Sequence, residues 1–229
     1  MTKAPLWLGL GLTGGLAALA VGATAPANAS GGDLAVFEIT VTNLTRNQVF
    51  SPLLVATHGS GAALFQLGEP ASGELALLAE EGDNAPLMGA LAANEAVADV
   101  QSGAGPLAPG ASETITVQAA ADARLLSLAA MLVNTNDAFV ALDGFRLPPT
   151  AREARTLAVA FDAGSELNSE SCDYVPGPAC GAAGAHDPSP AEGFVYVSNG
   201  IHGIADLVPE VYDWRNPVAE VVVRRAAPR

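Results

Sequence analysis

Short runs in which apolar and polar residues alternate constrain the fold of this chain more than any other sequence feature. In the clearest run, Phe37, Ile39 and Val41 alternate with polar residues, which is the period-two pattern of a half-buried strand. Clusters of Gly, Pro, Asn and Asp separate the runs, as expected for a β-sandwich or barrel. The pattern therefore predicts an all-β fold. The other predicted strands lie at 50–56, where Pro52 suggests an edge or a bulge, and at 114–117, 125–133, 139–142, 156–161, 194–197 and 218–225.

Residues 72–94 break this rhythm and predict a short helical insertion between the second and third predicted strands. Ser72 is a suitable helix N-cap, and Leu75 and Leu78 fall on one face of the helix that follows. Gly82 begins a Gly-Asp-Asn sequence that ends the helix, and residues 86–91 predict a second short turn. Packing against the sheet is the default interpretation, although long loops also carry binding functions.

The first 29 residues have the features of a secretory signal peptide. Lys3 precedes an apolar run at 6–21, and Ala27 and Ala29 form an A-x-A cleavage pattern. The competing interpretation is an uncleaved membrane anchor, which needs about 20 apolar residues. The glycines and the small-residue end favour cleavage after Ala29. We therefore expect a secreted or periplasmic protein that does not insert into the membrane once the signal is removed.

The chain is strongly acidic, and this excludes some classes of partner. It has 10 basic and 24 acidic residues, and cleavage after Ala29 would remove the only lysine, leaving 9 − 24 = −15. Such a surface repels nucleic acid and anionic membranes and favours cations or basic partners. Solubility alone is the simpler explanation of most of this charge.

The two cysteines, Cys172 and Cys180, lie close together in a segment rich in Gly and Pro. In an exported protein such a pair predicts a disulfide. The Cys-x7-Cys spacing is not that of a zinc ribbon, and there is no second pair.

Two loops concentrate hard oxygen ligands directly after predicted strands. Residues 134–137, which include Asp137, follow one strand, and residues 162–166, which include Asp162 and Glu166, follow another. Calcium is bound by six to eight such oxygens, and Gly164 allows the second loop to turn sharply. Asp and Asn also form ordinary turns, so spacing alone leaves both interpretations open.

Three segments resemble the spondin N-terminal domain family. They are FEITVTNLT at 37–45, NTNDAFVALD at 134–143 and FDAGSE at 161–166. The closing YDWRNPVA at 212–219, followed by a Val/Arg-rich strand, is similar to bacterial members. The likeness extends over nearly all of the chain after the signal peptide, and the predicted domain covers 33–226.

The resemblance implies a fold, a cofactor and a class of function. The family fold is a C2-like antiparallel β-sandwich with calcium in loops at one end. This implies Asp137, Asp162 and Glu166 as side-chain ligands, although Glu166 stands where animal members tend to have Asp. It further implies a binding module of the adhesion type, and we expect its partner to be an extracellular or envelope protein or a glycan. No catalytic activity is expected, because the sequence lacks the G-x-S-x-G elbow and other catalytic signatures. The animal proteins' neighbouring modules are absent here, so their partners do not transfer.

Two alternative functions remain at this point. One is a structural envelope or matrix protein that binds no specific metal. The other is a hydrolase or metalloenzyme in which His58 and His202 bind zinc or copper with Asp206. Hydrogen bonding is the favoured role for both histidines, because no H-x-H or H-E-x-x-H spacing is present, and His186 is predicted to be exposed.

Overall fold

Antiparallel strands dominate the fold. A computed structural model describes residues 34–150, 153–181 and 185–226. Within these ranges the elements are β1 (Ala35–Asn43), β2 (Leu54–His58), α1 (Gly73–Glu81), α2 (Ala85–Ala92), β3 (Val97–Ser102), β4 (Ser112–Ala119), β5 (Leu125–Met131), β6 (Ala138–Arg146), β7 (Glu153–Asp162), β8 (Tyr196–Val197), α3 (Pro209–Tyr212) and β9 (Ala219–Arg225).

The strands follow the order β3-β2-β5-β6-β7-β9-β1-β4, with β8 added to β7. Strand β7 belongs to both layers of the sandwich. Its first half pairs with β9, and its second half pairs with β6 and β8. The prediction of an all-β fold is confirmed, and β3 and β4 approach each other so that the sheet is nearly closed.

Alternation along β1 places its apolar residues in the core between the layers. Phe37, Ile39 and Val41 are fully buried there, as the sequence predicts. Strand β7 behaves differently, because Ala158 and Ala160 face the core while Leu157 is 53% exposed. The smaller side chains thus occupy the inner face where β7 passes from one layer to the other.

The helical insertion is confirmed. Ser72 caps α1 by accepting a hydrogen bond from the Leu75 N–H at 3.2 Å, and Gly82 ends the helix in the left-handed conformation (φ 71°). Leu75 and Leu78 are fully buried and form a second core on the outer face of β2, β5 and β6. The insertion therefore covers the centre of one layer.

Two details of the strand prediction are wrong. The edge interpretation of Pro52 is wrong, because β2 begins two residues later and lies between β3 and β5. The bulge interpretation fits the register, which shifts by one residue between the Phe50–Leu132 bridge and the Leu54–Ala129 pair. Strand β3 has no clear alternation in its sequence, Val-Ala-Asp-Val-Gln-Ser, and was not predicted. It is the first strand in the strand order, and among the described strands only β2 pairs with it.

The predicted signal peptide at 1–29 lies outside the described residues. Among the helices that the structure describes, none has the length and apolar character needed to span a membrane.

Candidate metal centre

The two acidic loops meet at one end of the sandwich, which we call the acidic pole (residues 134–137 and 162–166). Residues Ala138 and Asp162 are register partners in the β6–β7 pair. Just beyond them, the Ala163 N–H donates to the Asp137 carbonyl at 3.2 Å. The antiparallel pairing of these strands therefore brings the loops together, as the sequence predicts.

A threonine shapes the first loop. The Thr135 hydroxyl donates to the Leu132 carbonyl at 2.6 Å and accepts from the Ala138 N–H at 3.1 Å. These bonds close a tight turn between β5 and β6. As a result, Asp137 is held at the start of β6 with its side chain fully buried.

The two oxygens of the Asp137 carboxylate have different environments. Oδ2 accepts backbone hydrogen bonds from Ser165 at 2.8 Å and Glu166 at 3.0 Å. Oδ1 is buried and has no hydrogen-bond partner among the described residues. It is the single buried side-chain nitrogen or oxygen there of which this is true. A buried oxygen without a partner carries a desolvation cost of about 1–3 kcal/mol, more when it is charged.

The second loop turns at Gly164, which has a φ of 62°. A Cβ at this position would lie 2.8 Å from the Phe194 nitrogen and closer still to its carbonyl oxygen, so only glycine fits. The Gly164 N–H donates to Asp162 Oδ1 at 3.0 Å, and the Asn168 amide donates to Oδ2 at 2.8 Å. Each Asp162 oxygen keeps a lone pair for a further ligand.

Burial and proximity change the ionisation of this pair. Burial, followed by the charge of Asp162, raises the pKa of Asp137 from 3.8 to about 8. Burial also raises the pKa of Asp162 to about 6, against the opposing effect of its hydrogen bonds from Asn168 and Gly164. Both shifts favour the protonated carboxyls, and a neighbouring cation would oppose them.

The carboxylate of Glu166 is directed elsewhere. Its side chain is buried, but Oε1 accepts from the Asp187 N–H at 2.5 Å, and a ligand oxygen lies within 4.8 Å of ligand atoms of Glu80 and His186. In the part of the chain described, Asp137, Asp162 and Glu166 do not offer three oxygens within that distance of one another. Glu166 contributes to the pair through its backbone N–H.

Three further residues at the pole were not predicted. The charge of Glu192 raises the pKa of both Asp137 and Asp162. The Asn168 amide links Asp162 to the Tyr196 hydroxyl, to which it is joined at 2.9 Å. Burial, followed by the Asp162 charge, also raises the pKa of Tyr196. Asn168 lies two residues beyond the Asp-x-Gly-x-Glu pattern, but Glu192 is separated from it by a long irregular segment.

The predicted disulfide between Cys172 and Cys180 is present. The loop that it closes contacts the first acidic loop, where the Ala179 N–H donates to Asn134 Oδ1 at 3.0 Å. The disulfide therefore fixes a segment that contacts the first acidic loop.

The three histidines lie in separate places. His58 is buried, and its Nε2 is 2.7 Å from the Ser127 hydroxyl, as the hydrogen-bonding interpretation predicts. It pairs with Leu125 at the start of β5, whereas the acidic pole follows the end of that strand. His202 lies beside Glu170, which contacts Asn136 at the pole. His58 and His202 are thus about the length of β5 apart, too far to share a metal ion. His186 is exposed, as predicted.

An antiparallel β-sandwich with two acidic loops at one end is an all-β domain whose candidate binding site lies in its end loops. A family model described as Spondin_N matches residues 42–167, which is more than half of the chain. The chain therefore belongs to the spondin N-terminal domain family, and the resemblance found in the sequence is confirmed. The match includes Asp137, Asp162 and Glu166. The family fits an extracellular, adhesion-like module, and the disulfide is consistent with export. No curated protein matches the chain.

Proposed function

We propose that this protein is an exported, non-catalytic binding module whose acidic pole binds one calcium ion between Asp137 and Asp162. The observation that carries the proposal is the buried Asp137 Oδ1, which has no hydrogen-bond partner among the described residues. An ion at this oxygen would supply the missing interaction and offset the cost of burying the charge.

The donors at the pole suit calcium. Carboxylate oxygens are the ligands that this ion prefers, and it also accepts carbonyl oxygens and waters in a flexible shell. Asp162 offers lone pairs beside Asp137, and both carboxyls have a raised pKa that a cation would lower again. No imidazole or thiol belongs to the pair, which favours a hard cation over zinc or copper.

Two residues are candidates for the third side-chain ligand of the calcium ion. The family pattern assigns it to Glu166, whose carboxylate contacts the Asp187 N–H in this structure. Glu192 is the alternative, because its charge acts on both aspartates. The Glu166→Gln variant distinguishes them: calcium affinity falls at least tenfold if Glu166 is a ligand and stays nearly unchanged if it acts through its backbone.

Calcium would act by ordering the loops. The Asp137 carboxylate already joins the loop at 134–137 to the N–H groups of Ser165 and Glu166. Neutralising its charge would stabilise both loops and present them as one recognition surface. We propose an extracellular or envelope protein or a glycan as the partner of this surface, since the acidic chain disfavours nucleic acid.

Calorimetric titration of residues 30–229 with calcium tests the proposal. We expect one equivalent to bind the wild type, and the affinity of the Asp162→Asn variant to fall at least tenfold. Asp122→Asn is the matched control, because Asp122 is exposed and precedes β5, at the opposite end from the acidic pole. Its affinity should equal that of the wild type.

Melting temperatures in chelator and in calcium give an independent measure, since a ligand that binds only the folded state raises stability. Equal melting temperatures, together with no binding heat, would refute the calcium site and support a structural envelope or matrix protein. One equivalent of zinc or copper that depends on His58 or His202 would instead support the metalloenzyme.

A further inference from the structure

We propose that Glu80, Glu166 and His186 form a second metal site, which binds a divalent transition-metal ion of the zinc type. Each side chain offers one ligand atom, and the three atoms all lie within 4.8 Å of one another. In the described ranges this is the one group of three His, Cys, Asp or Glu side chains that converges so closely. The site shares no side chain with the Asp137–Asp162 pair, and it rests on the version of the calcium site in which Glu166 acts through its backbone N–H.

The three ligands come from segments that are distant in sequence. Glu80 lies in the last turn of α1, Glu166 lies in the loop after β7, and His186 lies in the irregular segment after the disulfide. The helical insertion, the acidic pole and the irregular segment that contains His186 therefore meet at this point. A metal ion here would join all three.

The spacing of one pair of ligand atoms suits a tetrahedral ion. His186 Nδ1 lies 3.0 Å from Glu80 Oε2. Two ligands of a tetrahedral zinc ion, each at 2.0–2.1 Å from the metal, lie about 3.3 Å apart. An ion could therefore enter between these atoms with a shift of a few tenths of an ångström. The His186 side chain is 42% exposed, which leaves room for entry and for a water as the fourth ligand.

Two further contacts orient the proposed ligands. The other nitrogen of His186, Nε2, lies 3.1 Å from Glu81 Oε1. A metal-binding histidine usually donates its second ring N–H to a carboxylate in this way, and this fixes the tautomer. The Asp187 N–H likewise holds Glu166 Oε1, so that both the imidazole and the buried carboxylate are positioned before any ion binds.

The charge balance also favours a cation. Glu80, Glu81 and Glu166 surround a single imidazole, and no arginine in the described part of the chain forms an ion pair with any of them. Glu166 is 3% exposed, so its carboxylate is largely removed from water. Imidazole nitrogen with carboxylate oxygen suits zinc better than calcium, which takes oxygen ligands. The two proposed sites would thus select different ions.

Zinc titration of the tag-free protein in saturating calcium tests this site. We expect one equivalent of zinc to bind, and cobalt(II) at the same site to give the intense visible absorption of tetrahedral coordination. His186→Ala should weaken zinc binding at least 30-fold and abolish the tetrahedral cobalt spectrum. Glu80→Gln, which keeps the size of this partly buried side chain, should weaken zinc binding at least tenfold without unfolding the protein.

His202→Ala is the matched control, since His202 is also an exposed histidine beside a glutamate but has no place in the cluster. It should bind zinc like the wild type. Asp162→Asn should keep zinc affinity and lose calcium affinity, so failure of one site is distinguishable from failure of the other. Absence of zinc binding, equal affinity in wild type and His186→Ala, or zinc affinity lost only in Asp162→Asn would each overturn the proposal.

Discussion

Asp137 and Glu170 are both buried carboxylates near the acidic pole, but the surrounding protein neutralises them to different extents. Three successive N–H groups donate to the Glu170 carboxylate: His202 at 2.6 Å, Gly203 at 2.7 Å and Ile204 at 3.0 Å. Asp137 receives such bonds on one oxygen alone, and its Oδ1 has no partner among the described residues. The two residues are close, since the Glu170 N–H donates to Asn136 Oδ1 at 3.2 Å.

The difference teaches how this end of the molecule can tolerate buried charge. Backbone N–H groups stabilise the Glu170 carboxylate, so this residue needs no ion. Its backbone adopts a φ of 54°, which is uncommon for a residue other than glycine, and the three bonds offset that strain. Asp137 lacks an equivalent set of donors, and this deficit is what we propose calcium supplies.

Replacement of Glu170 should have the largest effect. Glu170→Gln removes the charge and leaves at least one of the three N–H groups without an acceptor, so we expect a loss of about 2–4 kcal/mol in the free energy of unfolding. Urea denaturation measures this loss. It should be equal in chelator and in calcium, because this carboxylate does not depend on an ion.

A loss from Glu170→Gln that occurs only in calcium would contradict the comparison. It would show that the loop at 202–204 belongs to the ion site. Asp122→Asn, which removes an exposed carboxylate at the other end of β5, should change stability by less than about 0.5 kcal/mol in either condition.

The Asp137→Asn variant should behave in the opposite way. In chelator above pH 8, where the Asp137 carboxyl is ionised, the variant removes a buried charge without a full set of partners. We therefore expect it to be more stable there than the wild type by about 1–2 kcal/mol. In calcium the wild type gains about 2.7 kcal/mol at a ligand concentration 100 times the dissociation constant, and the variant does not. The order of stability should therefore reverse when calcium is added.

Thermal melts of both proteins in both conditions measure this reversal. If Asp137→Asn is destabilised equally with and without calcium, the carboxylate is an ordinary structural acceptor. In that case Oδ1 has a partner in solution, and the proposed ion site loses its main support.

The sequence contains most of the fold but only part of the site. Alternation predicts β1, and the Ser72 cap with Gly82 predicts α1, because these signals are local. Strand β3 lacks such a signal, and its pairing with β2 depends on the tertiary fold. The loops with Asp137 and Asp162 are also local patterns after strands, so their proximity was predictable. The direction of the Glu166 carboxylate was not predictable, because it depends on His186 and Asp187, which lie 20 and 21 residues further along an irregular segment.

The free energy of unfolding of the metal-free protein should fall as pH rises, which is the opposite of the usual effect of paired or hydrogen-bonded carboxylates. The pKa of Asp137 is raised from 3.8 to about 8 and that of Asp162 to about 6, so between these values the folded state binds more protons than the unfolded state. Stability in chelator should therefore fall as pH rises from 6 to 7, by roughly 1 kcal/mol. Calcium should reduce this slope, because bound calcium holds both carboxylates ionised.

Urea midpoints at several pH values, in chelator and in calcium, measure the two slopes. Glu170→Gln should leave the chelator slope in place, whereas Asp137→Asn should flatten it. A chelator slope that is unchanged by Asp137→Asn would assign the titration to another group and weaken the contrast between the two carboxylates.

Replacement of Glu192 should have the smallest effect. The size of the change in calcium affinity shows whether Glu192 is itself a ligand of the ion at Asp137. Glu192 is exposed, yet its charge raises the pKa of both aspartates. If it acts through space, Glu192→Gln should lower calcium affinity only about two- to threefold, and the difference should shrink at high salt because exposed charges are screened. If Glu192 is a direct ligand, affinity should fall tenfold or more at every salt concentration, since a lost metal–oxygen contact is not screened.

Calorimetric titration of the wild type and Glu192→Gln at two salt concentrations separates these outcomes. If Glu192 is a direct ligand, an ion and a surface carboxylate together stabilise the buried Asp137 carboxylate, whereas three backbone N–H groups stabilise that of Glu170.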